Sequence, residues 1–219
     1  MALVWHRHDD LTAAAAARLS EVLAEELAER PVLLLLSGGS WFSVLERVCV
    51  PTAGALTVGM LDERYSRDPA VNNFAQLTHT TFFSSLPAGV SLLDSRVGER
   101  EDRGTYAARF ARGIESWCEV HPDGVVVATL GMGPDGHTAG VFPGVFDAAT
   151  FETTFVATDA WVHAYAVPPE VNEHTERVTV TLAFLREYVE YAIFFALGKS
   201  HQVAALHERA LPLSDQPAA

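Results

Sequence analysis

Continuous apolar runs recur along the chain and predict its strands. Residues 32–36 read Val-Leu-Leu-Leu-Leu, and residues 55–61 and 124–130 are also largely apolar. Short runs without polar alternation are typical of strands that are buried on both faces of a parallel sheet. Residues 177–182 alternate between polar and apolar positions, and residues 191–197 form a last apolar run. The pattern therefore predicts a strand in each of these segments.

Amphipathic segments separate the strands and predict helices. Residues 11–30 are rich in Ala, Leu and Glu, follow the pair Asp9-Asp10 and end before Pro31, which indicates a helix capped by aspartate. Further helices are predicted from residue 41 to about residue 48, over residues 102–119 and over residues 200–209. Strands that alternate with helices predict an α/β fold, a three-layer Rossmann-like sandwich in which helices cover both faces of a mainly parallel sheet.

The chain shows no internal repeat and no linker rich in Pro or Gly, and its 219 residues fit one large α/β domain. We therefore predict a single domain over residues 1–219. Residues 211–219 contain two prolines and small polar residues, and we expect them to form a loose C-terminal tail.

Composition narrows the class of protein. The formal net charge is −13, and such an acidic surface repels nucleic-acid backbones and anionic membranes, which argues against either partner. The first ten residues are charged where a signal peptide needs an apolar run, and no apolar stretch is long enough to span a bilayer. The two cysteines have no motif spacing, which fits a reducing compartment. The sequence thus predicts a cytoplasmic protein, and it does not predict an oligomeric state.

A glycine turn follows the first strand, with the residues Ser37, Gly38, Gly39 and Ser40. Glycines allow a close approach of the main chain to a ligand, and the free N–H groups at the start of the next helix favour an anion. The segment is therefore a candidate phosphate loop. The alternative is a tight turn in which Ser40 caps the following helix. The segment lacks the Gly-Lys-Ser/Thr ending of a P-loop.

Charged residues follow other strands. Asp62, Glu63 and Arg64 come directly after residues 55–61, at the sheet edge where ligands of α/β proteins bind. Arg64 offers a planar fork for phosphate or carboxylate, and the alternative is a surface ion pair. Arg177 opens a predicted strand, where a solvated strand end is the alternative. Lys199, the only lysine, is either a surface charge or part of the same edge.

The third candidate segment is glycine-rich. Residues 131–144 read Gly-Met-Gly-Pro-Asp-Gly-His-Thr-Ala-Gly-Val-Phe-Pro-Gly. His137 can act as a general base near neutral pH, and Asp135 can orient it. The alternative is a structural histidine in a loop. Zinc is not expected, because no second His or Cys lies at ligand spacing.

This third segment closely resembles the signature of the 6-phosphogluconolactonases, G-M-G-x-D-G-H-T-A-S-L-F-P-G. Gly140 and Val141 stand where Ser and Leu are usual. Residues 37–40 resemble the phosphate loop of the family, residues 62–64 its D-E-R segment, Asn72-Asn73 its S-N pair, and residues 176–182 its E-R-I-T-L-T-L segment. The resemblance extends from residue 11 to about residue 206.

The resemblance implies hydrolysis of 6-phosphogluconolactone in the oxidative pentose phosphate pathway, without metal or cofactor. It implies that His137 activates water, that Asp135 positions His137, and that Arg64 binds the substrate and stabilises developing charge. The implied substrate- and phosphate-binding residues are Ser37, Gly38, Gly39, Ser40, Asp62, Gly133, Arg177 and Lys199. We expect Arg64, Arg177 and Lys199 to form a positive pocket for a phosphosugar on an otherwise acidic protein.

Two departures concern phosphate binding. Trp41-Phe42 replaces the Thr-Pro of the family, and His201 stands where the family often has lysine.

Two alternative functions remain open. A glucosamine-6-phosphate deaminase/isomerase would use Asp62 as a base. These enzymes, however, have the segment D-E-Y where this chain has D-E-R at residues 62–64. They also have a glutamate in the segment that reads Val-Phe-Pro-Gly here, at residues 141–144. The other alternative is a phosphosugar-binding paralogue without turnover.

Overall fold

The computed structural model describes residues 8–133, 136–142 and 144–198, which form two sheets flanked by helices. In chain order the elements are α1 (Leu11–Leu27), β1 (Val32–Leu36), α2 (Trp41–Leu45), β2 (Leu56–Met60), β3 (Asp62–Arg64), α3 (Asn73–Leu77), α4 (Thr81–Ser84), β4 (Ser91–Leu92), α5 (Arg103–Val120), β5 (Val125–Gly131), α6 (Ala148–Phe151), a π-helical turn (Glu152–Val156), β6 (Val162–Ala166), β7 (Glu176–Val180), α7 (Leu182–Tyr188) and β8 (Val189–Phe195).

The larger sheet has five parallel strands in the order β4-β2-β1-β5-β8. The strand β1 lies between β2 and β5, and its residue Val32 pairs with Leu56 on one side and Val125 on the other. The chain thus leaves the first strand toward one edge and later returns to its other side. Such a reversal of strand order creates a crevice at the carboxyl ends of the two central strands. The loops that follow β1 and β5 lie at this crevice.

Both faces of the parallel sheet are covered, which confirms the layered α/β prediction. Val32, Leu34 and Leu36 belong to a core that includes α1, α2, α3 and α4. Leu33 and Leu35 belong to a second core with α5, α7 and the strand β7. Because every residue of β1 is buried, the uninterrupted apolar run is accounted for by packing on both sides.

Local signals define the two long helices. Asp10 accepts a hydrogen bond from the main-chain N–H of Ala13 at 2.9 Å, and Asp102 accepts one from Thr105 at 2.7 Å. These aspartates satisfy N–H groups that have no partner inside the helix. The helix α1 ends at Leu27, before the predicted end at residue 30, and α2 ends at Leu45 rather than near residue 48.

A second, three-stranded sheet was not predicted from the sequence. Its order is β3-β7-β6, and both pairings are antiparallel. The charged segment Asp62–Arg64 is itself a strand, in which Arg64 pairs directly with Arg177. Arg177 is the second residue of β7 and is only 4% exposed. The alternative of a solvated strand end is therefore wrong for this residue.

The C-terminal half shows smaller differences from prediction. The predicted strand over residues 177–182 is β7, which ends at Val180, and α7 begins two residues later. The predicted strand over residues 191–197 is β8, shifted toward the N-terminus. The predicted helix over residues 200–209 and the predicted tail lie outside the described residues. Within the described ranges, no helix is both long enough and apolar enough to cross a membrane.

Candidate functional site

A cleft of about 270 Å³ lies where the loops after β1 and β5 meet the small sheet. The predicted site residues that line it are Ser37, Gly38, Gly39, Ser40, Asp62, Arg64, Gly133, His137 and Arg177. Residues from four distant segments of the chain therefore share one surface. Asp135, Lys199 and His201 lie outside the described residues.

Residues 37–40, the serine-glycine loop, are tied to the neighbouring strand β5. The main-chain N–H of Ser37 donates to Thr129 Oγ1 at 2.8 Å, and Ser37 Oγ donates to the carbonyl oxygen of Thr129 at 2.6 Å. The hydroxyl proton of Ser37 is thus used inside the protein. Ser40 is exposed, lines the cleft and makes no side-chain capping bond. Gly39 adopts φ +63°, a conformation that glycine enters without strain.

Asn73 fixes the distance between the serine-glycine loop and the small sheet. Its amide nitrogen donates to the carbonyl oxygen of Asp62 at 3.0 Å. A Cβ atom on Gly38 would lie 2.5 Å from Asn73 Oδ1, so only glycine allows this approach. The main chain of the loop at Gly38 therefore packs against the side chain of Asn73, and a larger residue at position 38 would not fit.

Trp41 directs its bulk away from the cleft. Its side chain is fully buried, its ring meets the ring of Phe195 at 5.8 Å, and its Nε1 donates to the carbonyl oxygen of Leu130 at 2.9 Å. The residue therefore packs in the core beneath the loop. The replacement of Thr by Trp removes a hydroxyl group but does not narrow the cleft.

The small sheet presents charged side chains to the cleft. Successive side chains of a strand point to opposite faces, so Asp62 and Arg64 share one face and Glu63 lies on the other. Arg64 and Arg177 are direct cross-strand partners, and like charges in such positions repel each other. Burial raises the pKa of Asp62, whereas the positive charges of Arg177 and Arg64, and an interaction with His137, lower it.

The two guanidinium groups are held differently. Arg177 Nε donates to the carbonyl oxygen of His174 at 3.0 Å, and its Nη2 donates to Asn172 Oδ1 at 2.7 Å. Its guanidinium also lies 5.0 Å from the centre of the Phe142 ring. Arg64 makes one long bond of 3.4 Å from Nη1 to the carbonyl oxygen of Val71, and its buried Nε has no partner. Arg64 is thus held less tightly than Arg177.

The loop after β5 places His137. The main-chain N–H of Gly133 donates to the carbonyl oxygen of His137 at 2.8 Å, and Gly136 turns the chain with φ +88°. The imidazole ring stacks on Phe142, with 4.1 Å between ring centres and an interplanar angle of 22°. This contact orients the ring, and Gly140 then brings the loop against the small sheet. A Cβ atom on Gly140 would lie 2.8 Å from Asp62 Oδ2.

Glu63 supports the site from the opposite face of β3. Its fully buried carboxylate accepts hydrogen bonds from Ser95 Oγ at 2.7 Å, from the main-chain N–H groups of Asn73 and Phe74 at 2.8 Å each, and from Asn72 Nδ2 at 3.0 Å. Burial raises the pKa of Glu63 to about 8, against the lowering effect of these donors. The residue joins β3 to the start of α3 and therefore holds Asn73 in place.

The cleft also contains residues that were not among the predicted site residues, namely Asn73, Gly131, Met132, Ala139, Gly140, Asn172, Glu173 and His174. Burial lowers the pKa of His174, the charges of Arg64 and Arg177 lower it further, and Glu173 raises it. The polar run Asn172-Glu173-His174, which ends one residue short of β7, was the available signal. It was missed because the hairpin joining β6 to β7 is set by tertiary pairing.

The arrangement suits proton transfer on an anionic substrate. A histidine can act as a base, and two arginines can bind or stabilise negative charge. In the described part of the chain, no group of three His, Cys, Asp or Glu side chains has the arrangement of a metal site.

Comparison with known proteins gives a consistent picture. A family model described as "Glucosamine-6-phosphate isomerases/6-phosphogluconolactonase" matches residues 6–219. A comparison with curated protein sequences finds no significant match. Among solved structures, the 6-phosphogluconolactonase from Thermotoga maritima is 21% identical with a TM-score of 0.71, covering 97% of this chain and 92% of its own. The enzyme from Shewanella baltica is 19% identical with a TM-score of 0.70, covering 96% and 86%. The enzyme from Trypanosoma brucei is 20% identical with a TM-score of 0.66, covering 99% and 88%.

Proposed function

Because the chain belongs to the family of glucosamine-6-phosphate isomerases and 6-phosphogluconolactonases, we propose that it hydrolyses 6-phosphogluconolactone to 6-phosphogluconate. This reaction belongs to the oxidative pentose phosphate pathway. One observation carries the proposal. His137 shares a cleft with Arg64, Arg177 and the serine-glycine loop, so a base and an anion-binding surface face the same substrate.

His137 is the general base of the proposed reaction. Its imidazole nitrogen removes a proton from water while the water oxygen attacks the lactone carbonyl carbon. The bond from that carbon to the ring oxygen then breaks, and the ring oxygen takes the proton that His137 had removed from water. The carboxylic acid formed loses its proton to solvent, which leaves a carboxylate and a free hydroxyl. The stacking on Phe142 keeps the imidazole oriented. Asp62 lines the same cleft, and its carboxylate, when ionised, is proposed to favour the imidazolium that forms. Asp135, outside the described residues, is proposed as a positioning residue on the resemblance alone.

Arg64 is proposed to stabilise the negative charge on the carbonyl oxygen. Its main internal bond is long and its Nε is unpaired, so a substrate oxygen is a better partner than any it has in the protein. A donor aimed at developing charge is typically worth a factor of about 10² to 10³ in kcat.

The phosphate group is proposed to bind at the serine-glycine loop. Ser40 is exposed at the cleft, and the loop glycines permit close approach of main-chain N–H groups. Arg177 contributes positive charge from β7, although its Nε and Nη2 donate to the protein itself. Lys199 is a further candidate for this role, from outside the described residues.

A second candidate is an isomerase or deaminase acting on an amino sugar phosphate. Asp62 favours it, because a buried carboxylate in the cleft with a raised pKa can act as a base. The resemblance favours the lactonase, because Val141 and Phe142 are buried apolar residues in the segment where the isomerases have a glutamate. We expect no conversion of glucosamine 6-phosphate by the purified protein.

A coupled assay tests the proposal. 6-Phosphogluconolactone is generated from glucose 6-phosphate, and the release of 6-phosphogluconate is followed above spontaneous hydrolysis. We expect acceleration by the wild-type protein and a loss of about 10²- to 10⁴-fold in His137→Ala, with binding of 6-phosphogluconate retained. His121→Ala, at the end of α5 and outside the cleft, should keep full activity.

The outcomes separate the alternatives. Turnover that survives in His137→Ala would show that another group is the base. Binding of phosphosugars without acceleration by the wild-type protein would favour a binding-only paralogue.

A further inference from the structure

His174 is a second histidine of the cleft and lies on the loop between β6 and β7, residues 167–175. Both polar groups of its main chain, the N–H and the carbonyl oxygen, are hydrogen-bonded. The N–H donates to Asn172 Oδ1 at 3.0 Å, and the carbonyl oxygen accepts from Arg177 Nε at 3.0 Å. Asn172 Oδ1 also accepts from Arg177 Nη2 at 2.7 Å. The loop is therefore held in place by a buried arginine, so the main chain of His174 is positioned at the cleft before any ligand binds.

The side chain itself is less constrained than the main chain. It is 26% exposed, and its nearest acidic partner is Glu173, with 3.7 Å between His174 Nε2 and Glu173 Oε1. Glu173 is itself 85% exposed, so this contact is weak in water. An imidazole on a fixed main chain, at the wall of a cleft and without a strong internal partner, is placed to contact a bound molecule.

The charges around His174 oppose its protonation. Arg64 on β3 and Arg177 on β7 lower its pKa in addition to the effect of burial, and only Glu173 raises it. The other titratable side chains along the described wall of the cleft are Asp62 and His137. A dianionic ligand between these cations would reverse the field that His174 experiences.

We propose that His174 binds an anionic oxygen of the phosphosugar and takes up a proton when the ligand binds. The inference rests on the proposed function, because it takes a phosphosugar as the ligand. His174 is thereby a specificity-determining residue. It becomes protonated and stabilises a negatively charged ligand, whereas beside an uncharged ligand it stays neutral and adds no such attraction. Because binding takes up a proton, affinity decreases as the pH rises through the pKa of His174 in the complex.

Calorimetric titration with 6-phosphogluconate tests the inference. Titrations near neutral pH in two buffers of different ionisation enthalpy give the number of protons taken up. The ligand phosphate, with a second pKa of about 6, also exchanges protons, so each variant is compared with the wild-type protein in the same buffers at the same pH. We expect His174→Gln to remove the share of proton uptake that belongs to His174 and to weaken binding about tenfold, as for a lost hydrogen bond to a charged group. His174→Arg should bind without that proton uptake.

His163→Gln is the matched control. Burial and the charge of Arg103 also lower the pKa of His163, yet this residue lies on β6 outside the cleft. Its substitution should leave proton uptake unchanged. Glucose 6-phosphate, which has the phosphate but no carboxylate, identifies the contacted group. Retained uptake with this ligand assigns the contact to the phosphate, and lost uptake assigns it to the carboxylate end.

The two possible failures differ. If 6-phosphogluconate binds and His174→Gln takes up as many protons as the wild-type protein, the inference about His174 is wrong while the proposed function stands. If the wild-type protein neither accelerates lactone hydrolysis nor binds a phosphosugar, the proposed function fails and this inference fails with it.

Discussion

The parallel sheet lines the cleft mostly with main chain and small side chains, whereas the small antiparallel sheet lines it with charged side chains. From the parallel sheet come the serine-glycine loop and the glycines after β5, and from the small sheet come Asp62, Arg64 and Arg177. The interior strands of the parallel sheet are buried on both faces and have no position for a charge. The small sheet has one face on the cleft, so charges can be placed there.

This division implies that changes in the two sheets have different consequences. Substitution of a charge on the small sheet should affect activity more than stability. Substitution beneath the loops of the parallel sheet should affect stability more than activity. Residues where the two sheets touch should affect both.

Among the substitutions that compare the two sheets, the largest effect is expected for Arg64→Met on the small sheet. It removes the proposed donor to the developing oxyanion, so kcat/KM should fall by about 10² to 10³. The unfolding free energy should change by less than about 1 kcal/mol, because the substitution also removes a buried Nε without a partner. Kinetics and denaturant unfolding measure the two quantities. Arg67→Met is the control, since Arg67 donates to the carbonyl oxygens of Gly98 and Glu101 outside the cleft. Equal losses in both variants would contradict the role of Arg64.

The next largest effect is expected for Gly140→Ala, at the contact between the two sheets. The new Cβ would lie 2.8 Å from Asp62 Oδ2 on a backbone with φ +64°. Strain and steric overlap together should destabilise the protein by about 2 to 4 kcal/mol and displace Asp62, which lowers activity. Gly89→Ala has φ +98° with no atom within 4 Å of the new Cβ, so it isolates the backbone strain. Unchanged activity in Gly140→Ala would show that the reaction does not depend on the position of Asp62.

A smaller effect is expected for Trp41→Phe, beneath the serine-glycine loop. It removes the hydrogen bond to the partly buried carbonyl oxygen of Leu130, at a cost of about 1 kcal/mol. The KM should stay within about twofold, because the ring points into the core. A large rise in KM without loss of stability, measured by steady-state kinetics and thermal unfolding, would show that this residue acts on the ligand.

The smallest effects are expected for two serines of the same loop. One substitution should lower stability without changing KM, and the other should raise KM without changing stability. Ser37→Ala removes the bond to the carbonyl oxygen of Thr129 and should cost about 1 kcal/mol of stability with little change in KM. Ser40→Ala removes no internal side-chain cap and should raise KM about fivefold with unchanged stability, as for one lost hydrogen bond to phosphate. Each serine is the control for the other. The reverse pattern would move phosphate binding from Ser40 to Ser37.

The sequence alone predicted much of the candidate site because its segments are local. Ser37–Ser40 and the residues around His137 each follow an apolar strand directly, and parallel strands bring their carboxyl ends to one edge. The predicted phosphate role of Ser37 illustrates the limit of this reasoning. Its residue type suited the role, but the structure commits its hydroxyl to Thr129, a residue from another strand.

The apolar runs by themselves predicted the strands β1, β2 and β5, because a short stretch without regular polar alternation is typical of a strand buried on both faces of a sheet. Only the tertiary structure decided that Asp62–Arg64 is a strand and that Arg64 lies opposite Arg177. The physical reason is that a charged segment of three residues has too little local preference for any conformation. Its pairing with β7 is fixed by contacts more than a hundred positions away along the chain, and the same pairing brings His174 to the cleft.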